Sequence, residues 1–210
     1  MATKSALTPT RCGSLELRWG ERTYVMGIIN LSPDSFSGDG LGANIEAAVA
    51  QAKRFVADGA DIIDVGGEST RPGTEPKSID DVERELRLVI PVIERLASEI
   101  SAPISIDSYK PKVALQALKA GAKMINDIWG LKKSPLLAQI ADEAGVPIIL
   151  MSNQRDAPVQ DIMPTIISDL ERAIALARQN GVPEHNIIID PGIGFGKTLE
   201  QNLEMMRRLA

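Results

Sequence analysis

The chain has 210 residues, enough for one domain with a sizeable core. Its formal net charge of −5 argues against a nucleic-acid or membrane-surface partner, but leaves room for an anionic small substrate in a locally positive pocket. Its single cysteine, Cys12, excludes an internal disulfide or a thiolate metal cluster. No run of about twenty apolar residues is present, and the first residues are too polar for a secretory signal, so a cytoplasmic protein is expected.

Short apolar runs alternate with longer amphipathic segments along the whole sequence. Residues 14–18 and 23–25, around Trp19-Gly20-Glu21, predict a small hairpin leading into the first strand and plugging one end of the fold. Strand 24–29 follows, then helix 44–58, strand 61–65, helix 79–100, strand 104–107 and helix 111–120. The series continues with strand 123–127, helix 135–144, strand 147–151, helix 165–180 and strand 186–190, and a last helix opens near Leu199. The strands are short, continuous and rich in Val and Ile, which suits parallel strands buried on both faces. Gly59, Gly121, Gly145 and Gly181 stop four of the helices, since glycine takes the left-handed conformation found there.

Repeated βα units build either an open doubly wound sheet or a closed barrel. Polar residues close almost every strand: Asn30, Asp64, Asp107, Asn126 and Asp190. A barrel brings all such ends to one mouth, whereas a doubly wound sheet joins only those at a switch point. The expected fold is therefore an α/β (β/α)8 barrel of which six units are visible, in a single domain spanning 1–210.

The loop after the first strand runs Asn30-Leu31-Ser32-Pro33-Asp34-Ser35-Phe36-Ser37-Gly38-Asp39-Gly40. Turn formation alone explains Pro33, Gly38 and Gly40. It does not explain the oxygen donors, which suit Mg²⁺ or a phosphate ester. After the second strand, Asp64-Val65-Gly66-Gly67-Glu68-Ser69-Thr70-Arg71-Pro72-Gly73 combines close backbone approach with donors to an anion. Asp107, Asn126 and Asp190 each have a structural role open to them as helix caps. Gathered in one mouth, they offer acceptors to a flat, nitrogen-rich heterocycle, for which a pterin and a purine both qualify.

The run Asp190 to Thr198 ends in Gly-Lys-Thr but matches neither a P-loop nor a dinucleotide fingerprint, because Pro191 takes the first glycine position and Gly192, Gly194 and Gly196 alternate. Phe195 reads instead as an aromatic wall. His185, the only histidine, precedes a strand and so belongs to the face opposite the mouth. Trp129 either lines the mouth or covers a helix. The charges between Val82 and Arg95 read as a solvated helix face.

The segments Gly27 to Ser37, Asp64 to Gly73, Ile106-Asp107-Ser108, Ile125-Asn126-Asp127 and Asp190 to Lys197 together resemble the dihydropteroate synthase family, in order, from about Leu15 to the end. The resemblance implies condensation of 6-hydroxymethyl-7,8-dihydropterin pyrophosphate with p-aminobenzoate, sulfonamide competition and a homodimer. It implies Asp107, Asn126 and Asp190 as pterin anchors, Ile128 and Met151 as apolar walls, and Asn30 as a contact of Mg²⁺ at the pyrophosphate. Phe36, Thr70, Pro72 and Phe195 would surround p-aminobenzoate, with Arg71 in the same loop and Asp34 and Asp39 in the first loop. Two departures stand out. Met151-Ser152-Asn153 has serine where the family has histidine, and the family's late Ser-Arg-Lys and Arg-x-His motifs are absent. On that basis the chain is expected to leave an open barrel and to be poorly stable and inactive alone. The alternatives are a pterin-binding methyltransferase domain, against which the Glu68–Gly73 loop argues, and a non-catalytic pterin-binding remnant.

Overall fold

The computed structural model describes residues 8–32, 44–68, 82–156 and 159–209. Strands β1 (Thr10–Cys12) and β2 (Leu15–Leu17) pair antiparallel as a hairpin turned at Gly13. The main sheet comprises β3 (Met26–Asn30), β4 (Ile62–Gly66), β5 (Ile104–Asp107), β6 (Met124–Asp127), β7 (Ile148–Met151) and β8 (Ile187–Asp190). All six pair in parallel and in sequence order. The helices are α1 (Ile45–Ala57), α2 (Val82–Glu99), α3 (Pro111–Ala120), α4 (Leu136–Ala144), α5 (Ile162–Gln179) and α6 (Leu199–Arg207).

Because the strand order never reverses, right-handed crossovers place the helices on one face, which is barrel-type winding and not the doubly wound alternative. β3 and β8 do not pair with each other, so the described strands form an open ladder. Alternate residues feed two apolar layers, which is why the strands read as continuous apolar runs. Ile29, Ile63, Val65, Ile106, Ile125 and Leu150 enter the main core with the helices. Ile62, Met124, Ile149 and Ile188 face the other way and pack against Cys12, Leu17 and Trp19 of the hairpin segment. Each fully buried aliphatic side chain contributes roughly 1.5–3 kcal/mol.

The hairpin lies one strand earlier than its predicted position. Leu15–Leu17 pairs with Thr10–Cys12, and residues 23–25 form no strand. The tight turn belongs to Gly13, whose φ is +58°, while Trp19 and Tyr24 meet edge to face across the later bend. As expected, the hairpin closes the end of the sheet opposite the strand C-termini: Thr10 Oγ1 donates to His185 O at 2.5 Å and accepts from Trp19 Nε1 at 2.9 Å. His185 itself is exposed, in the 3-10 turn Glu184–Asn186 before β8.

The four predicted glycine stops all have positive φ. Gly121 is doubly constrained: besides its φ of +126°, a side chain there would come within 2.6 Å of Ala97 on α2. α5 starts three residues before its predicted position, because Pro164 falls in the first turn, where a missing N–H costs nothing.

Candidate functional site

The ladder register assembles the site. Asn30 pairs with Gly66, Gly66 with Asp107, and Asp107 with Asn126, so the C-terminal ends of four adjacent strands share one rung. Met151 pairs with Asp190 at the ends of β7 and β8. Side chains two apart in a strand share a face, so Asp64 lies one layer below this rung, beneath Gly66. Gly66 leaves the space that Asp107 uses, since a side chain there would sit 3.3 Å from Asp107 Oδ2.

Asp64 is buried, and its Oδ2 accepts from Asn126 Nδ2 at 3.1 Å. Its Oδ1 is buried without a partner. Burial raises the Asp64 pKa, against the neighbouring Ser105 hydroxyl and the Asn126 amide. Burial first, then the negative charge of Asp64, raises Asp107 well above the ordinary carboxylate range, with Glu85, Asp127 and Glu68 adding to it. The pair of carboxyls thus favours a protonated form when no cation or donor faces it. Asp190 Oδ1 accepts from Gly192 N at 2.7 Å, and Asn30 Oδ1 accepts from Ser32 N at 2.9 Å.

Ile128, Trp129 and Met151 are buried together, with Tyr109 and Phe195 packed on them. Trp129 therefore belongs to the apolar wall of the site. Its ring meets Tyr109 edge to face at 6.4 Å, and Lys133 Nζ lies 4.3 Å from its centre. The Arg155 guanidinium sits 4.2 Å over the Phe195 ring. Burial lowers the Arg155 pKa, while the charge of Asp107 acts the other way, so a cation stands within electrostatic reach of the acidic rung. A flat ligand entering at the strand ends thus meets acceptors on one side and an apolar wall on another.

Of the residues singled out from sequence, Asn30, Asp107, Asn126, Ile128, Met151, Asp190 and Phe195 gather at this edge. Asp34, Phe36, Asp39, Thr70, Arg71 and Pro72 lie outside the described residues. Among the described residues no three His, Cys, Asp or Glu groups are placed to hold a metal ion. No described helix is long and apolar enough to cross a membrane.

Several residues take on roles here that the sequence did not assign to them. Asp64 reads as one more strand-end carboxylate until the register puts it under Asn126. Glu85 corrects the reading of α2 as a uniformly solvated charged face: it is buried and paired to Lys110 Nζ at 2.7 Å, which also binds Glu68 Oε2 at 2.7 Å. Ser152, where a histidine was expected, donates to Asp169 Oδ2 at 3.1 Å and accepts from Gln154 Nε2 at 2.9 Å. The Gly-Lys-Thr run is not a phosphate cradle, because Lys197 is turned onto backbone carbonyls and Thr198 caps α6 with Gln201.

The family model described as "Pterin binding enzyme" matches residues 26–210. The chain is 50% identical over 199 residues to the dihydropteroate synthase of Clostridium beijerinckii, covering 95% of this chain and 73% of that protein. A solved structure of Xanthomonas albilineans dihydropteroate synthase with 4-aminobenzoic acid superposes with a TM-score of 0.85 at 40% identity, covering 98% of this chain and 73% of that one. The Yersinia pestis dihydropteroate synthase in complex with a sulfonamide drug gives a TM-score of 0.86 at 35% identity, covering 96% and 74%. With strand-end acceptors and an apolar wall on the same sheet edge, the chain belongs to the pterin-binding enzyme family and, within it, to the dihydropteroate synthases.

Proposed function

We propose that this sheet edge condenses 6-hydroxymethyl-7,8-dihydropterin pyrophosphate with p-aminobenzoate to give 7,8-dihydropteroate and pyrophosphate. The observation that carries the reading is the rung shared by Asp107 and Asn126, with Asp190 at the neighbouring strand end and Ile128, Met151 and Phe195 as wall. Asp107, Asn126 and Asp190 accept from the ring N–H and amino groups of the pterin. Ile128 and Met151 cover its face.

The C–O bond to pyrophosphate breaks first, and the pterin ring delocalises the cationic methylene left behind. The neutral aromatic amine then attacks that carbon and loses a proton. An aromatic amine is nucleophilic without a strong base, so the exposed His185, far from the strand ends, has no part in the step. Phe195, with Phe36, Thr70 and Pro72, would surround the p-aminobenzoate ring. Arg71, with Asp34 and Asp39 of the first loop, completes the loops that exclude water.

Magnesium belongs to the same proposal. Asn30 offers a neutral amide oxygen at the strand end, a donor suited to Mg²⁺ held chiefly by substrate phosphates. When bound, the ion would neutralise charge on the departing pyrophosphate. The finer fold statement, a (β/α)8 barrel whose last units lie outside the present strands, is supported by the sequential open ladder. A homodimer is supported by the exposed apolar run Leu199, Leu203 and Met206 on α6. A reducing cytoplasmic setting suits the lone buried thiol of Cys12, which burial pushes up to about 12.

The test is an assay of the chain with both substrates and Mg²⁺ for dihydropteroate and pyrophosphate, beside a longer form carrying the family's late motifs. Dihydropteroate from either form, inhibited by a sulfonamide, is the expected result. Pterin binding without product in both forms would favour the methyltransferase or non-catalytic reading.

A further inference from the structure

The loop between β8 and α6 is fastened to the end of β7 by one half-buried cation. Lys197 Nζ donates to Gly192 O at 2.7 Å and Phe195 O at 3.3 Å, within its own loop, and to Ser152 O at 2.9 Å, across from it. The backbone follows the same path: Gln154 N donates to Phe195 O at 3.3 Å, and Ser152 N to Asp190 O at 2.9 Å. Two glycines permit the approach. Gly192, with φ +74°, lies against Ser152 O, and Gly196, with φ +71°, lies against the backbone of Gln154 and Arg155. Neither position has room for a side chain.

Such an ammonium is costly to bury. Desolvation draws the Lys197 pKa from 10.5 down to about 8, against the charges of Asp190 and Asp169. A lysine kept there for stability alone has a cheaper apolar substitute. What an apolar side chain cannot supply is a three-pronged donor that satisfies carbonyls from two chain segments at once. The residue this tie fixes most directly is Phe195, whose carbonyl it shares with Gln154 N and whose ring it thereby holds between Arg155 and the Ile128–Met151 wall.

We infer that Lys197 is a positioning residue for the second substrate: by stapling the 191–197 loop to the end of β7, it holds the Phe195 ring where an aromatic amine must stack. This rests on the synthase reading of the site. Lys197 touches no reacting atom, and its loss should weaken capture of p-aminobenzoate more than it slows the chemical step.

The experiment compares Lys197→Met, which keeps the stem, with Lys197→Arg, which keeps the charge. Backbone hydrogen exchange across 192–196 should quicken about tenfold or more in Lys197→Met, with α5 unchanged, a factor expected for the loss of one charge-assisted bond. The KM for p-aminobenzoate should rise about tenfold while kcat falls by less than about threefold, and Lys197→Arg should recover part of the KM. Should Lys197→Met not fold, Gly196→Ala forces the same loop off Gln154 without touching the ammonium and should show the same KM effect. Unchanged loop exchange in a folded Lys197→Met protein would overturn the inference, as would faster exchange with an unaltered KM. Exchange is read without turnover, so the absence of dihydropteroate from both the chain and the longer form would sink the proposed function and still leave the loop staple tested.

Discussion

Asn126 Nδ2 donates to Asp64 Oδ2 at 3.1 Å, so a carboxylate one layer below decides which end of the amide is committed inward. The amide oxygen is left for the strand-end side, where it accepts a ring N–H in the proposed pterin pose. An amide with no such partner below it would be free to turn over. Asp64→Asn keeps the shape but loses this obligate acceptor. Pterin affinity should fall about tenfold, the factor that ~1.4 kcal/mol produces, with little change in the KM for p-aminobenzoate. Titration calorimetry of the folded variant checks both this and the absence of gross damage. Undiminished pterin affinity would remove Asp64 from the site.

Proton linkage offers a second test. Burial and the charge of Asp64 raise the Asp107 pKa well above the carboxylate range, so the empty site holds a proton that a guanidine-like donor edge should expel. Pterin affinity should therefore rise with pH as Asp107 ionises. Calorimetry in two buffers of different ionisation enthalpy should reveal proton release on binding in the native chain and less in Asp107→Asn. Equal release from both would assign the proton elsewhere.

Asp127 titrates for a structural reason. Its Oδ1 and Oδ2 accept from Trp129 N at 2.9 Å and Leu131 N at 2.6 Å, holding the turn that carries the apolar wall. Burial nevertheless outweighs these bonds and raises its pKa from 3.8 to about 6. Since the folded value lies above the unfolded one, its contribution is fully present below about pH 4 and is lost as pH rises through about 6, a change on the order of 3 kcal/mol. Urea unfolding of the native chain and of Asp127→Asn from pH 4 to 7 should show their stability difference moving by that sense and order. A pH-independent difference would refute it.

The Lys110 cluster is expected to be the most fragile point of the described core. Burial works against its ammonium, but the carboxylates of Glu85 and Glu68 outweigh that and raise its pKa. Lys110→Met would leave two carboxylates facing each other, one of them buried, and should cost about 3–5 kcal/mol. Adding Glu85→Gln should return part of the loss. Denaturant unfolding of the single and double variants measures the coupling, and strictly additive effects would mean that the pair is not an energetic unit.

Much of this arrangement was legible in the sequence, because Val and Ile runs and glycine stops recur in step. β5 and α3 fall on their predicted bounds, and the strand-end residues Asn30, Asp107, Asn126 and Asp190 were readable from position alone. The hairpin was misplaced because both Gly13 and Trp19-Gly20-Glu21 are turn signals, and only packing of Cys12 and Leu17 under the sheet chooses between them. Asp64 was legible as a strand-end carboxylate, but its bond to Asn126 was hidden, because a strand buried on both faces does not announce which residues meet across it. Lys110 and Lys197 were hidden because their partners, Glu85 on α2 and Ser152 after β7, are distant in the chain. Those relationships are products of register, and register is not written in any one segment.

The hydrogen bond from Thr10 to the carbonyl of His185 joins positions separated by 175 residues. During synthesis the hairpin leaves the ribosome before the six strands of the ladder, yet its docking surface is complete only when β8 has joined them. Cys12, Leu17 and Trp19 must therefore wait with their apolar faces uncovered while the intervening βα units are made. Long-range closure of this kind is slow and exposes surface to aggregation. The hairpin strands are thus the last pieces to be locked, and a folding helper that shields them would act before β8 is made.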